Sequence, residues 1–452
     1  MTANRWLAAA LLVAGAAAIA LSVLYGVVTI ADARIVAIVL VCIVLWATGA
    51  VASLKISLLF FGLAAACTPV PVTTLLAGFG SGAFWLVFSG AAIGFALKES
   101  GLAQRLGLLL ARRIGASYPN GLLAFAALSF ALSLVMPSTF GRIAILVPLA
   151  AGYCDAVGFG AGTNGRRGIL LLVVVGSYEL AAAVLPANLP NVIMAGVLER
   201  SLGVRLGFFE YLLRFFLAGA IVRGAVLVYA ARRLFPDQAQ AARAPDAPHS
   251  APGRRELHAA ALLAITLGLW LTDSLHHVAP GRVGLGFVLV YFATSPPAQF
   301  RRFVATLKLD LLAFVAAIIG LTALVDRLDP RAYGLLVPDA LRDRPLLAYL
   351  ALTALSIVLC FAVTSNAEPA LYTPFAAHAL AHGLPLKTAL LAQVTGYATT
   401  VLPYQSPPIV FGNALAKLER CAARRYCLVT ALLGFVFVVP ANALWWRLLG
   451  WL

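Results

Sequence analysis

Two short polar stretches, each carrying a serine and a proline, interrupt long apolar runs in this sequence. The first is Met136-Pro137-Ser138-Thr139-Phe140-Gly141-Arg142, set between an apolar run from Leu122 and another from Ile143 to Pro148. Pro137 disfavours continuation of the preceding helix, and Ser138 is then suited to cap the helix that follows. A helix start of this kind leaves unbonded N–H groups and a positive dipole end at the break, a setting for an anion. Arg142, about one turn further on, adds a full charge that is costly inside an apolar run unless an anionic ligand or a carboxylate meets it. The second stretch is Val363-Thr364-Ser365-Asn366-Ala367-Glu368-Pro369. Here Ser365 and Asn366 offer hydroxyl and amide groups, and Pro369 fits the first turn of a following helix.

A second kind of break lies downstream of each serine. Val184-Leu185-Pro186-Ala187-Asn188-Leu189-Pro190 and Val401-Leu402-Pro403-Tyr404-Gln405-Ser406-Pro407-Pro408 both open on Val-Leu-Pro and run into a polar, proline-bearing segment. Their freed carbonyls and the side-chain oxygens of Asn188, Asn191, Gln405 and Ser406 suit a small hard cation, whereas a helix N-terminus suits an anion. One site could hold both. Two carboxylates stand close by: Glu179, nine residues before Asn188, and Glu368, three beyond Ser365. Each is placed either to carry a coupled proton or, more simply, to pair with an arginine (Glu179) or to face a helix dipole (Glu368). His378 and His382 have i,i+4 spacing but no further ligands near them, so they read as helix-surface histidines and no metal site is expected.

The elements that position these groups follow from composition. The chain has 452 residues, of which 62% are hydrophobic and 11% charged, with a mean hydropathy of +0.96. A soluble domain carries about 25% charged residues. Stretches such as 6 to 30, 34 to 50, 167 to 187 and 345 to 363 are long enough to cross ~30 Å of hydrocarbon as helices. The expected fold is therefore an all-α integral membrane protein with ten to twelve helices by the ~20-residue rule. A disordered chain, a disulfide scaffold, a nucleic-acid module and a cytosolic enzyme are excluded. The net charge of +16 belongs to basic pairs between apolar runs, such as Arg112 with Arg113 and Arg301 with Arg302, which fix topology against anionic lipid heads. None of the six cysteines forms a CxxC pair, so no redox or metal motif follows. Residues 1 to 30 read as a first membrane helix that is retained, since the apolar stretch continues through Val27 and Ile30, longer than the apolar core of a signal peptide.

The only clearly soluble stretch, residues 236 to 256, has the Pro, Ala and charge content of a linker, and it divides the chain nearly in half. The flanking regions, 31 to 235 and 257 to 452, repeat their landmarks in order. Phe88 to Gly94 reads F-S-G-A-A-I-G and Phe314 to Gly320 reads F-V-A-A-I-I-G; Gly94 precedes Ser138 by 44 residues and Gly320 precedes Ser365 by 45. The Val-Leu-Pro breaks complete the parallel. Duplicated broken helices are the pattern of an inverted-repeat secondary transporter with re-entrant hairpins, because irregular backbone survives in hydrocarbon only where it lines a cavity.

This order of motifs resembles the divalent anion/sodium symporter family of dicarboxylate and citrate transporters, over most of the chain from about residue 30. Ser365-Asn366 matches the second tip of that family, with Ala367 in place of Thr, and Ser138 matches the first, with Thr139 and Phe140 in place of Asn and Thr. Ser406-Pro407-Pro408 is close to the family's Thr-Pro-Pro loop, and Asn188-Leu189-Pro190 is a degenerate version. The resemblance implies that Ser138, Thr139, Asn188, Ser365, Asn366, Ser406 and Pro407 contact a small organic anion, with Arg142 compensating as its partner where the first tip departs from the family, and that Ser138, Ser365, Asn366 and Ser406 serve the coupling cation, sodium. It also implies a homodimer in the inner (cytoplasmic) membrane that needs no cofactor. Phe140 cannot donate a hydrogen bond and narrows the first pocket, which argues against a small symmetric dicarboxylate held by two complete tips. The first site has also lost the family's pattern at Thr139 and Leu189, so at most one well-formed cation site is expected, in the second half. A proton-coupled or exchange-type permease is the alternative. A membrane-embedded lipid-linked transferase would need catalytic clusters in sizeable loops, and no segment of this chain supplies one.

Overall fold

Hydrocarbon forces backbone groups to pair within the chain, and every regular element among the described residues is helical. The computed structural model describes all residues except 1, 26–27, 49–50, 103–104, 106–116, 239–252, 308, 326, 328–343 and 380–383; the centre of the linker, Arg112 with Arg113, and His382 lie outside the described residues.

The first half contributes α1 (Thr2–Leu24), α2 (Ile30–Thr48), α3 (Ser53–Cys67), α4 (Gly82–Ser100), α5 (Tyr118–Val135), α6 (Thr139–Ala156), α7 (Asn164–Glu179), α8 (Leu189–Leu202) and α9 (Phe208–Leu234). The second adds α10 (Arg254–Leu271), α11 (Pro280–Ala293), α12 (Pro297–Thr306), α13 (Leu309–Val325), α14 (Pro345–Ala379), α15 (Leu386–Tyr397), α16 (Pro407–Leu415) and α17 (Arg420–Leu448). Among the described residues, three of these (α5, α9 and α17) are each long and apolar enough to cross a membrane alone. The other apolar helices are shorter or broken. The stretch 167 to 187, read above as one span, is corrected: α7 stops at Glu179 and two 3₁₀ turns, Leu180–Ala183 and Leu185–Ala187, follow. Val184 between them is extended (φ −121°, ψ 116°). Pro186 has no N–H to continue a helical ladder through this stretch, and Pro190 sits in the first turn of α8, where none is needed.

From α5 onward the halves follow one succession: a helix, a serine-headed break, a second helix, a third helix, a proline-bearing 3₁₀ segment, a short helix, and a long final helix. In the second half the first break lies inside α14, at Thr364, and the 3₁₀ segment is Pro403–Gln405. Both final helices widen into a π stretch, Phe216–Val222 in α9 and Gly434–Val438 in α17, an irregularity frequent at functional sites. Packing crosses between the halves. The short helix α8 lies against α13 and α14, and its counterpart α16 lies against α6 and α7.

Candidate functional site: a cavity between broken helices

A cavity of about 420 Å³ opens where the breaks of both halves meet, walled by Ser138, Thr139, Asn188, Asn366, Pro408 and the α4 face from Val87 to Glu99. The serine-headed break forms its polar wall. Met136 and Ser138 are extended, and α6 starts beyond them with Ser138 as its N-cap, Oγ accepting from Gly141 N at 3.2 Å. The positive end of α6 therefore begins on the cavity wall. The Thr139 hydroxyl donates to the Ala187 carbonyl at 3.3 Å, which ties this break directly to the Asn188 loop. Phe140 and Phe411 close the apolar side, edge to face at 5.5 Å.

Close approach of α4 to the break depends on a glycine. A Cβ built on Gly90 would lie 2.8 Å from Pro137 Cβ, whereas one on Gly94 would meet only Met136 Cε at 3.7 Å. Gly90→Ala is expected to cost ~1–3 kcal/mol of overpacking and to depress uptake, with Gly94→Ala close to wild type. Thermal unfolding and uptake of the two variants side by side check this; equal behaviour would remove the close contact from the account.

Arg142 is fully buried, and it does not line the cavity. Its guanidinium turns instead to the backbone of both first-half breaks: Nη1 donates to the Met136 carbonyl, and Nη2 to Thr139 Oγ1 (3.0 Å), Ser177 O (2.8 Å) and Ala187 O (2.9 Å). The cation that the sequence matched to an anionic partner is matched here by carbonyl oxygens.

The second break is built differently. Thr364 takes φ 65°, ψ 159°, a region essentially reserved for glycine and costly for a β-branched residue by ~1–3 kcal/mol. Such strain persists only where the surroundings enforce it. Pro369 then sits inside the C-terminal piece of α14 rather than at its start. Asn366 reaches the cavity wall; Ser365, Ser406 and Pro407 do not. Ser365 Oγ, Asn366 Oδ1, Ser406 Oγ and both carboxylate oxygens of Glu368 are buried without a hydrogen bond to protein. Ser365 stands beside Tyr178, and Glu368 beside Ser356, outside hydrogen-bond geometry. Buried polar atoms in native folds are nearly always partnered, so this set of oxygens is the most unusual chemical feature of the interior.

Residues 3–452 match the family profile of the sodium:sulfate symporter transmembrane region. The chain belongs to that family. It is accordingly an all-α, multi-pass membrane protein of a transporter family. A protein of Cupriavidus necator described as a membrane protein is similar, 29% identical over 280 residues, which are 55% of this chain and 53% of the relative. The match thus spans about half the length of that curated relative.

In this symporter-family chain the two halves are joined by a buried polar network that sequence reading only partly anticipated. Glu179 is ion-paired with Arg223 at 3.0 Å, both residues buried. Arg223 also donates to Ala398 O (2.9 Å) and Thr399 Oγ1 (3.2 Å), and Thr400 N donates to Glu179 Oε1 (3.3 Å). Beside it, Tyr178 OH donates to Tyr397 O (3.0 Å), Tyr397 OH to Asn191 Oδ1 (2.7 Å), and Asn191 Nδ2 to Val184 O (2.9 Å). Apart from the Glu179–Arg223 pair and the Asn191–Val184 bond, every link joins α7, α8 or α9 to the segment around the end of α15. Glu179, one of the two acids considered for proton coupling, is thus engaged in an ion pair. Arg223 was missed, although a single arginine in the apolar run 216 to 231 is itself a signal of a buried partner.

Proposed function

We propose that this protein is a secondary active transporter that carries a small organic anion of the di- or tricarboxylate class across the inner membrane, driven by sodium. The observation that supports this reading best is the cavity at which both halves' breaks converge. Its polar wall combines the N-terminus of α6, Ser138 and Thr139 with the Asn188 and Asn366 amides, while Phe140, Phe411, Leu189 and Val192 supply an apolar wall. A carboxylate belongs on the first wall and a hydrocarbon portion against the second, which favours an organic anion over the sulfate in the family's name. The unpartnered oxygens of Ser365, Asn366 and Ser406 form the matching donor set for the cation.

In this reading the regions 31 to 235 and 257 to 452 are inverted repeats with re-entrant hairpins joined by the 236 to 256 linker, and alternating access exposes the cavity to each side in turn. The protein works as a permease, not an enzyme, and assembles as a homodimer. Uptake into proteoliposomes of a labelled panel of carboxylates and sulfate, with sodium and proton gradients imposed separately, tests it. Carboxylate uptake that follows the sodium gradient at fixed pH is the expected result; uptake of sulfate alone, or of none of the panel, would overturn the substrate class. A proton-coupled reading has one observation in its favour, the unbonded Glu368 carboxylate, and the same assay separates it.

A further inference from the structure

We propose that Arg142 is a built-in cation occupying the first break, so that the protein couples to one mobile cation fewer than its two-fold design would allow. The proposal rests on the sodium-coupled reading above. It starts from what surrounds the guanidinium. Three oxygens, Thr139 Oγ1, Ser177 O and Ala187 O, converge on the single atom Nη2 at 2.8 to 3.0 Å, and Met136 O takes Nη1. An Nη group carries two hydrogens, so three acceptors are one more than directed hydrogen bonding requires. Converging neutral oxygens from a hydroxyl and unwound carbonyls are the donor set of a hard-cation cage.

A fully buried arginine ordinarily meets a carboxylate, because its charge is costly to leave unmatched. Among the described residues Arg142 has no acidic partner, and Glu179, close in sequence to Ser177, is paired with Arg223 instead. The charge of Arg142 is met by three carbonyls and one hydroxyl, all neutral dipoles, as that of a caged ion would be. The second half offers the comparison within the same chain. Arg142 is the fourth residue after Ser138; the fourth after Ser365 is Pro369, which brings no charge. At that break the oxygens of Ser365 and Asn366 make no hydrogen bond, nor does the hydroxyl of Ser406 at the proline-bearing break downstream. One break is filled from within by a side chain, and the other keeps its oxygens for an ion that enters and leaves.

The experiment uses the full chain in two assays, with choline as the replacement for sodium. In the first, uptake is titrated with sodium; wild type is expected to show a Hill coefficient of about 1, and a value of about 2 would overturn the proposal. In the second, thermal unfolding of purified protein is followed against sodium, where a newly bound ion adds stability by mass action. Arg142→Ala vacates the oxygen cage and is expected to add a second sodium response to the one wild type owes to its second break, an extra Tm rise of ~2 °C or more over wild type. Arg142→Lys is expected to behave as wild type, since one ammonium carries three hydrogens for the three oxygens. An Ala variant no more responsive to sodium than wild type, or a Lys variant that acquires the Ala response, would overturn it. If Arg142→Ala is recovered folded only from membranes prepared in sodium, the proposal stands; if it fails in both salts and Arg142→Lys fails with it, the cage needs the guanidinium fork itself and the proposal falls. Wild-type uptake that ignores sodium would sink the coupling reading alone, because the unfolding assay judges Arg142 without transport.

Discussion

Arg223→Met is expected to be the most damaging single substitution outside the cavity, lowering stability by ~3–5 kcal/mol, because it leaves the Glu179 carboxylate buried and unpaired. Arg223 and Glu179 are only 3% and 2% exposed at their side chains, so water cannot take over as a partner. Adding Glu179→Gln removes the stranded charge and is expected to recover most of the lost stability. Transport should not recover with it. Arg223 also holds Ala398 O and Thr399 Oγ1, and the double variant loses both of these bonds, which fix one break against the other, although a glutamine at 179 can still accept from Thr400 N. Thermal unfolding and uptake measured on both variants separate the two effects. A double variant as unstable as the single one would show that the stranded charge is not the cause, and a double variant with full uptake would show that these cross-half bonds do not position the site.

The sequence exposes local chemistry well and long-range partnership poorly, and this chain shows where the line falls. The Ser138 cap was legible because a proline, a serine and an apolar run decide a helix start within a few residues. The convergence of the Ser138, Asn188 and Asn366 segments was legible from duplication, since matched breaks in hydrocarbon have few places to hide except a shared cavity. The partner of Arg142 was not legible. The sequence sets a cation one turn into a helix and asks for an acid, but the answer is three carbonyls and a hydroxyl, and every residue owns a carbonyl. Tyr397 and Asn191 lie 206 positions apart, and no local pattern links them. The positive φ of Thr364 is opposed by its own β-branched side chain, so only the surrounding packing, absent from a sequence, selects it. Hydropathy likewise saw one span in 167 to 187, because averaging over a window cannot register the single donor that Pro186 removes.

Asn366→Ala is expected to cut sodium-driven uptake by ~10- to 150-fold, the cost of one hydrogen bond or ligand to a charged partner at ~1.5–3 kcal/mol. Asn366 is the residue of the second break that reaches the cavity, and its Oδ1 is buried without a protein partner, so its loss bears on substrate and cation together. Glu368 provides the contrast. It is fully buried with neither oxygen hydrogen-bonded, and glutamine reproduces the shape and neutrality of a protonated acid without being able to release a proton. If sodium drives the cycle, Glu368→Gln keeps uptake within about threefold, a change of ~0.6 kcal/mol, while Asn366→Ala loses it. If a proton drives it, uptake ignores sodium and follows an imposed pH gradient, and Glu368→Gln abolishes that response while Asn366→Ala retains it at reduced affinity. Glu179→Gln alone cannot make this distinction, since any loss it causes is shared with the stranded charge of Arg223. The two variants at Asn366 and Glu368 therefore test the coupling ion at the second break, where Ser365, Asn366 and Glu368 carry unpartnered oxygens, while the first break holds Arg142 and the N-terminal end of α6.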